Sequence, residues 1–144
     1  NMGLNTILAI SGRSGLFKLL TQTRGGFVAQ SLLDNKKISV NAQSNVSVLS
    51  EIAVYTLTEE LPLKEVLKKI RDKENGGLTS VAHKASKDDL EEYFFSVLSD
   101  YDEDRVYASD IKKIIQWYNL LHKNELLNLI DEEEASGEDD SSEN

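Results

Sequence analysis

Proline occurs once in the chain, at position 62, and the periodicity of the apolar residues changes there. Before Pro62, apolar residues fall in short runs punctuated by glycine, asparagine and aspartate; after it they recur at helical spacing. A chain divided in this way must pack short strands beside amphipathic helices, which predicts an α+β architecture. Its 144 residues, 40% of them apolar, suffice for one ordinary domain or two small ones. A chain of this size buries roughly two-thirds of its unfolded surface, so no covalent staple is needed. There is no cysteine, which removes disulfides, thiolate zinc sites and thiol nucleophiles and fits a reducing compartment.

Residues 4–58 read as a small β domain. Thr6–Ile10 is a compact apolar run, and Phe17–Thr23 and Phe27–Leu33 flank Arg24-Gly25-Gly26, where glycine supplies hairpin geometry. Leu33 to Lys37 forms a second turn around Asp34 and Asn35, which tolerate left-handed backbone. Ile38–Val40, Val46–Leu49 and Ile52–Leu57 follow. The pattern predicts a curled antiparallel sheet or an SH3-like barrel.

Residues 59–130 read as a helical domain of three to four helices. Pro62 suits a first helical turn, and Leu63, Val66, Leu67 and Ile70 form one apolar stripe before Asn75-Gly76-Gly77 ends it. Ser86 with Asp89 resembles a capping box ahead of Leu90, Tyr93, Phe94, Val97 and Leu98. A charged connection over 99–108 leads to Ser109 as the cap of a third helix, with Ile111, Ile114, Ile115, Tyr118 and Leu121 inward. A short fourth segment spans Glu125–Ile130. Residues 131–144 hold eight acids and no base, and are expected to be a disordered tail.

The net charge of −9 is uneven. Residues 1–58 carry five basic and two acidic side chains; residues 59–130 carry eleven and fifteen. Such a chain repels nucleic acid at long range except through its first part. Asn1 ahead of Met2, the only methionine, reads as a cloning remnant, and no signal peptide or membrane span is visible, so the cytoplasm is expected.

No catalytic, cofactor or metal site is predicted. Ser11-Gly12-Arg13-Ser14-Gly15 has the glycines and cation of an anion cradle, but lacks the Gly-Lys-Ser/Thr ending of a P-loop and reads first as a turn between strands. Asp100-Tyr101-Asp102-Glu103-Asp104 has Arg105 and Ile111 where a calcium loop needs glycine and glutamate. His83 and His122 lie at no metal-ligand spacing. No nucleophile elbow or His-Glu-x-x-His is present, and the paired acids Glu59-Glu60 and Asp88-Asp89 are adjacent residues that point apart.

Binding is the remaining expectation. Trp117 and Tyr118, with Tyr107 and Arg105 nearby, are the candidate protein contacts, since exposed aromatics and arginine dominate interfaces; edge-of-core packing is the plainer account of the Trp-Tyr pair. Arg13, Lys18, Arg24, Lys36 and Lys37 are candidate contacts to nucleic acid or a small anion, if two hairpin turns share one end of the sheet and Phe17 or Phe27 is free to stack on bases. The leading expectation is a non-catalytic interaction or scaffolding protein, with a protein partner or self-association. RNA or DNA binding is the alternative, and an anion binder or unfamiliar enzyme the third.

Two stretches resemble a known family. Ala9-Ile10-Ser11-Gly12-Arg13-Ser14-Gly15-Leu16-Phe17-Lys18-Leu19 runs on to Gln22-Thr23-Arg24-Gly25-Gly26, and Asp100 through Ile114 runs on to Trp117-Tyr118-Asn119. Both are similar to an uncharacterised family of Bacteroidetes proteins, a domain of unknown function with a separate helical C-terminal domain. The likeness spans roughly residues 4–130. It implies a bacterial cytoplasmic protein divided near residue 60 and supplies no activity, ligand or site residue.

Overall fold

The computed structural model describes residues 3–132; of the expected acidic tail, only Asp131 and Glu132 fall within them. The N-terminal half holds β1 (Ile7–Ile10), β2 (Phe17–Gln22), β3 (Gly26–Ser31), β4 (Lys37–Asn41) and β5 (Val46–Val48). They form one antiparallel sheet in the order β4-β3-β2-β1-β5. The outermost strands β4 and β5 each have one partner, so the sheet stays open and the barrel alternative does not form.

The sheet is nevertheless curled. Ile10, Phe17, Ala29 and Val40 share one buried cluster, with Phe27, Ile38 and Val46 packed against it. Ile10 lies on β1 and Val40 on β4, three places apart in the sheet, so only a bend brings them together. A register shift between Leu19 and Thr21 marks a bulge of the kind that increases local twist. Both phenylalanines face this cluster, Phe17 buried and Phe27 half-buried, which removes them as stacking platforms.

The turns form for the reasons the sequence suggests. Asn35 adopts φ 64° and the Lys36 amide donates to Asp34 Oδ1 at 3.0 Å. The segment read as a sixth strand is β6 (Ala53–Tyr55), and it pairs with β7 (Glu60–Pro62) rather than with the large sheet. Thr56 Oγ1 closes that turn, donating to the Glu59 carbonyl at 2.8 Å and accepting from the Glu59 amide at 3.0 Å. The expected charged connection is also partly strand-like. The Leu57 amide donates to Asp100 O and the Asp102 amide to Tyr55 O, each at 2.9 Å, and Tyr101 is buried.

Helices α1 (Leu63–Lys73), α2 (Lys87–Val97) and α3 (Ala108–Lys123) follow. Pro62 is the extended last residue of β7, one place ahead of the helix it was expected to open. Past α1, Asn75 and Gly76 have positive φ and the Gly76 amide donates to Arg71 O at 2.9 Å, a C-terminal cap. Ser86 Oγ accepts from the Asp89 amide at 3.2 Å, as its position predicts. The cap of α3 lies two residues ahead of Ser109, which falls inside the helix: Tyr107 takes the capping position and its amide donates to Asp110 Oδ2 at 2.9 Å.

One core joins the halves. Leu4, Ile7, Leu16 and Leu49 from the sheet side are buried in a single cluster with the inner faces of all three helices. Asn124 Nδ2, at the end of α3, donates to the carbonyl of Leu32 at 3.0 Å and so ties the helix to the β3–β4 turn.

Candidate functional site in the cleft between the halves

The Ser11–Gly15 loop is pinned above α3 by its own backbone. The Ser11 amide donates to Asn45 O at 2.9 Å and the Arg13 amide to Ile10 O at 3.0 Å. Gly12 and Gly15 have φ of 84° and 83°, where a side chain is strained. At Gly15 a Cβ would also stand 2.8 Å from Leu33 Cδ1 and 3.4 Å from Leu120 Cδ1, so glycine lets the loop approach α3 closely. The amides of Gly12, Ser14 and Gly15 donate to no protein acceptor among the described residues.

Across from the loop, Ser109, Lys112, Lys113 and Gln116 recur at i, i+3, i+4 and i+7 and present one polar stripe of α3. Loop and stripe enclose a cleft of about 670 Å³. Arg13, Lys112 and Lys113 line it without any carboxylate, together with the hydroxyls of Ser11, Ser14, Ser47 and Ser109. None of the three cations forms an ion pair among the described residues. The field on this flank of α3 also reaches His83, whose imidazole is held below its ordinary value first by burial and then by Lys84, Lys112 and Lys123.

A second hollow of about 260 Å³ lies between β6 and α3. Its walls are mostly apolar, among them Val54, Val106, Ile114 and Trp117. At its mouth the Arg105 guanidinium lies 4.2 Å from the centre of the Tyr55 ring and 3.4 Å from Asp102. Asp110 also lines this hollow, with its carboxylate engaged by the Tyr107 amide. Lys113 and Trp117 line both spaces, so the polar cleft and the apolar hollow adjoin.

The expected interaction residues therefore divide. Tyr118 is fully buried, with its hydroxyl donating to Gly77 O at 2.7 Å, and Trp117 is only 9% exposed. Neither is a free anchor, because the β half covers the edge of the α3 stripe that a helix-only reading leaves open. Tyr107, 61% exposed, and Arg105 remain on the surface beside the apolar hollow.

The basic residues divide too. Arg13 lines the cleft and also a second depression on the other side of its loop, shared with Asp34 and Lys36. Lys18 and Lys37 flank Gln30 in one cross-strand row. Arg24 stands apart, since it precedes β3 whereas Lys36 follows it, and consecutive turns of an antiparallel meander fall at opposite ends of the strand between them. Arg13, Lys18, Lys36 and Lys37 thus lie toward one end of the sheet and Arg24 alone at the other, so the two hairpin turns of the expectation do not share an end. Lys112 and Lys113 are missed as site residues by sequence reasoning, which assigns Ser109 only to a helix cap, although their helical spacing opposite the isoleucine stripe is readable in the sequence.

Among the described residues no group of three or more His, Cys, Asp or Glu is placed to hold a metal ion, and no helix is long and apolar enough to cross a membrane. Comparison with known proteins places the cleft at a junction. A domain of unknown function (DUF5606) matches residues 4–49, and a second (DUF6852) matches residues 52–121. Arg13 and Ser14 come from the first, Ser109, Lys112 and Lys113 from the second. No protein of curated function matches the chain. A solution NMR structure from Bacteroides vulgatus, determined by structural genomics, superposes with a TM-score of 0.72 at 44% identity, covering 85% of this chain and 88% of that one. On that likeness and the two matched domains, the chain belongs to an uncharacterised Bacteroidetes family of unknown function.

Proposed function

We propose that the protein is a non-catalytic binding protein of the bacterial cytoplasm whose ligand presents an anion to the cleft between its halves. The observation that carries this reading is the convergence of Arg13, Lys112 and Lys113 on one cleft with no carboxylate in its lining, in a chain of net charge −9. Acidic chains ordinarily intersperse their cations with acids, and unpaired like charges in one concavity repel each other until an anion enters. What lines the cleft supports binding over turnover: cations and hydroxyls, but no histidine or carboxylate to move a proton near neutral pH.

The test is a titration of the protein with inorganic phosphate followed by amide NMR. Saturable shifts confined to Gly12, Ser14, Lys112 and Lys113, lost in Lys112→Glu, are expected. Weak shifts scattered over all surface lysines would remove the cleft as the site.

A protein partner is the second reading, on a different observation. Tyr55, Leu57 and Tyr107 are exposed by 37%, 71% and 61% around the Arg105–Tyr55 stack, on segments tied together by the Thr56–Tyr101 bridge. Exposed aromatic and arginine side chains of this kind are what interfaces use. The overall charge, the separation of Arg24 from the other four basic residues and the inward packing of Phe17 and Phe27 disfavour nucleic acid.

A further inference from the structure

We infer that the ligand is an organic phosphate monoester bearing an apolar or aromatic group, its phosphate in the cleft and its apolar group in the adjoining hollow. This rests on the reading of the cleft as an anion site and adds the chemistry of both ends. The cleft offers donors in excess of acceptors: three cations, several hydroxyls and the open amides of Gly12 and Ser14. A phosphomonoester dianion has three acceptor oxygens and nearly two charges, so it matches that set better than a carboxylate does. Arg13 adds a planar fork suited to phosphate.

The second end follows from the shared wall. Because Lys113 and Trp117 line both spaces, a group esterified to a phosphate at Lys113 is within reach of the hollow lined by Val106 and Ile114. That hollow cannot take a second anion, since Asp110 lines it and Arg105 is already paired with Asp102. It takes an uncharged apolar body, with the Arg105–Tyr55 stack at its mouth. The cleft of about 670 Å³ falls within the scale of small-ligand sites, roughly 300–1,000 Å³, and the hollow of about 260 Å³ lies just below it, room for one end of a ligand and not for a whole one.

The test uses the full chain and four probes: inorganic phosphate, phenyl phosphate, phenol and benzoate. Trp117 is the only tryptophan and lines both spaces, so its fluorescence reports binding at either end. Phenyl phosphate is expected to bind at least about tenfold more tightly than inorganic phosphate, and to shift the amides of Val106 and Ile114 as well as those of Gly12 and Lys112. Ala53→Glu, at an exposed position on the wall of the hollow, is expected to cut phenyl phosphate affinity to that of phosphate and leave phosphate unchanged. Equal affinity of phosphate and phenyl phosphate would overturn this inference while leaving the anion site standing. Phenol or benzoate binding as tightly as phenyl phosphate would also overturn it. No response to any phosphate would remove both readings together.

Discussion

At the scale of single residues, the most connected carboxylate among the described residues is Glu74, just past α1. Its Oε2 accepts from the Tyr93 hydroxyl at 2.6 Å, the Ser80 amide at 2.9 Å and the Ser80 hydroxyl at 3.1 Å. Burial alone would raise its pKa, but the bonds from Tyr93 and Ser80, with Lys73 nearby, outweigh that and hold the carboxyl below its ordinary 4.5. Tyr93 moves the other way: burial first, then its bond to Glu74, lifts the phenol well above 10.0. A depressed carboxyl stabilises the fold above its unfolded value and loses that contribution as pH falls through the folded one. A raised phenol stabilises it below its unfolded value and loses that as pH rises beyond 10. Glu74→Gln should therefore cost about 1–2 kcal/mol at neutral pH, with the gap to wild type closing on acidification below 4.5. Tyr93→Phe should flatten the alkaline limb as well. Urea midpoints across pH 3–11 read both; a Glu74→Gln curve parallel to wild type throughout the acid limb would refute the assignment. Tyr93 is legible in the sequence only as a member of an apolar stripe. Its acid lies 19 residues earlier, across a turn whose path no local spacing encodes.

At the scale of elements, the β2–β3 hairpin shows where local reading stops. Arg24-Gly25-Gly26 announces a turn, and the strands on both sides fall close to their expected places, because turn chemistry and period-two alternation are local signals. Which glycine is indispensable is not local. A Cβ at Gly25 would meet nothing within 4 Å, whereas one at Gly26 would overlap the carbonyl oxygen of Val40 on the next strand. Gly26 is thus demanded by the approach of β4, and by the curl that sets β4 across from β1. Gly25→Ala should leave stability within about 0.5 kcal/mol of wild type. Gly26→Ala should cost about 1–3 kcal/mol through overpacking against backbone. Equal unfolding midpoints for the two variants would mean that β3 and β4 are not in close register here. The same limit explains α3. Its buried isoleucines and its polar stripe are both readable from spacing, but Trp117 lies between them, and only the covering sheet decides that it is buried.

At the scale of the whole molecule, the two halves are legible as units and their union is not. The core uniting Leu4, Ile7, Leu16 and Leu49 with three helices depends on contacts across the change of periodicity, and the cleft exists only because of that docking. The charge of the whole chain then acts on the cleft. Residues 133–144 contribute six acids and no base, so a chain ending at Glu132 carries −3 rather than −9 and keeps the ion pair of Asp131 with Arg71 at 2.7 Å. Long-range repulsion of an incoming anion is screened over about 10 Å at 0.1 M salt and about 3 Å at 1 M. If the tail acts on the cleft only through this field, the shortened chain should bind inorganic phosphate several-fold more tightly at low salt, with the advantage gone near 1 M. An advantage that persists at high salt would require direct contact between tail and cleft, because only short-range competition survives such screening. Equal affinities at low salt would mean that Arg13, Lys112 and Lys113 set the local potential alone, with the tail's charge too distant or too hydrated to be felt.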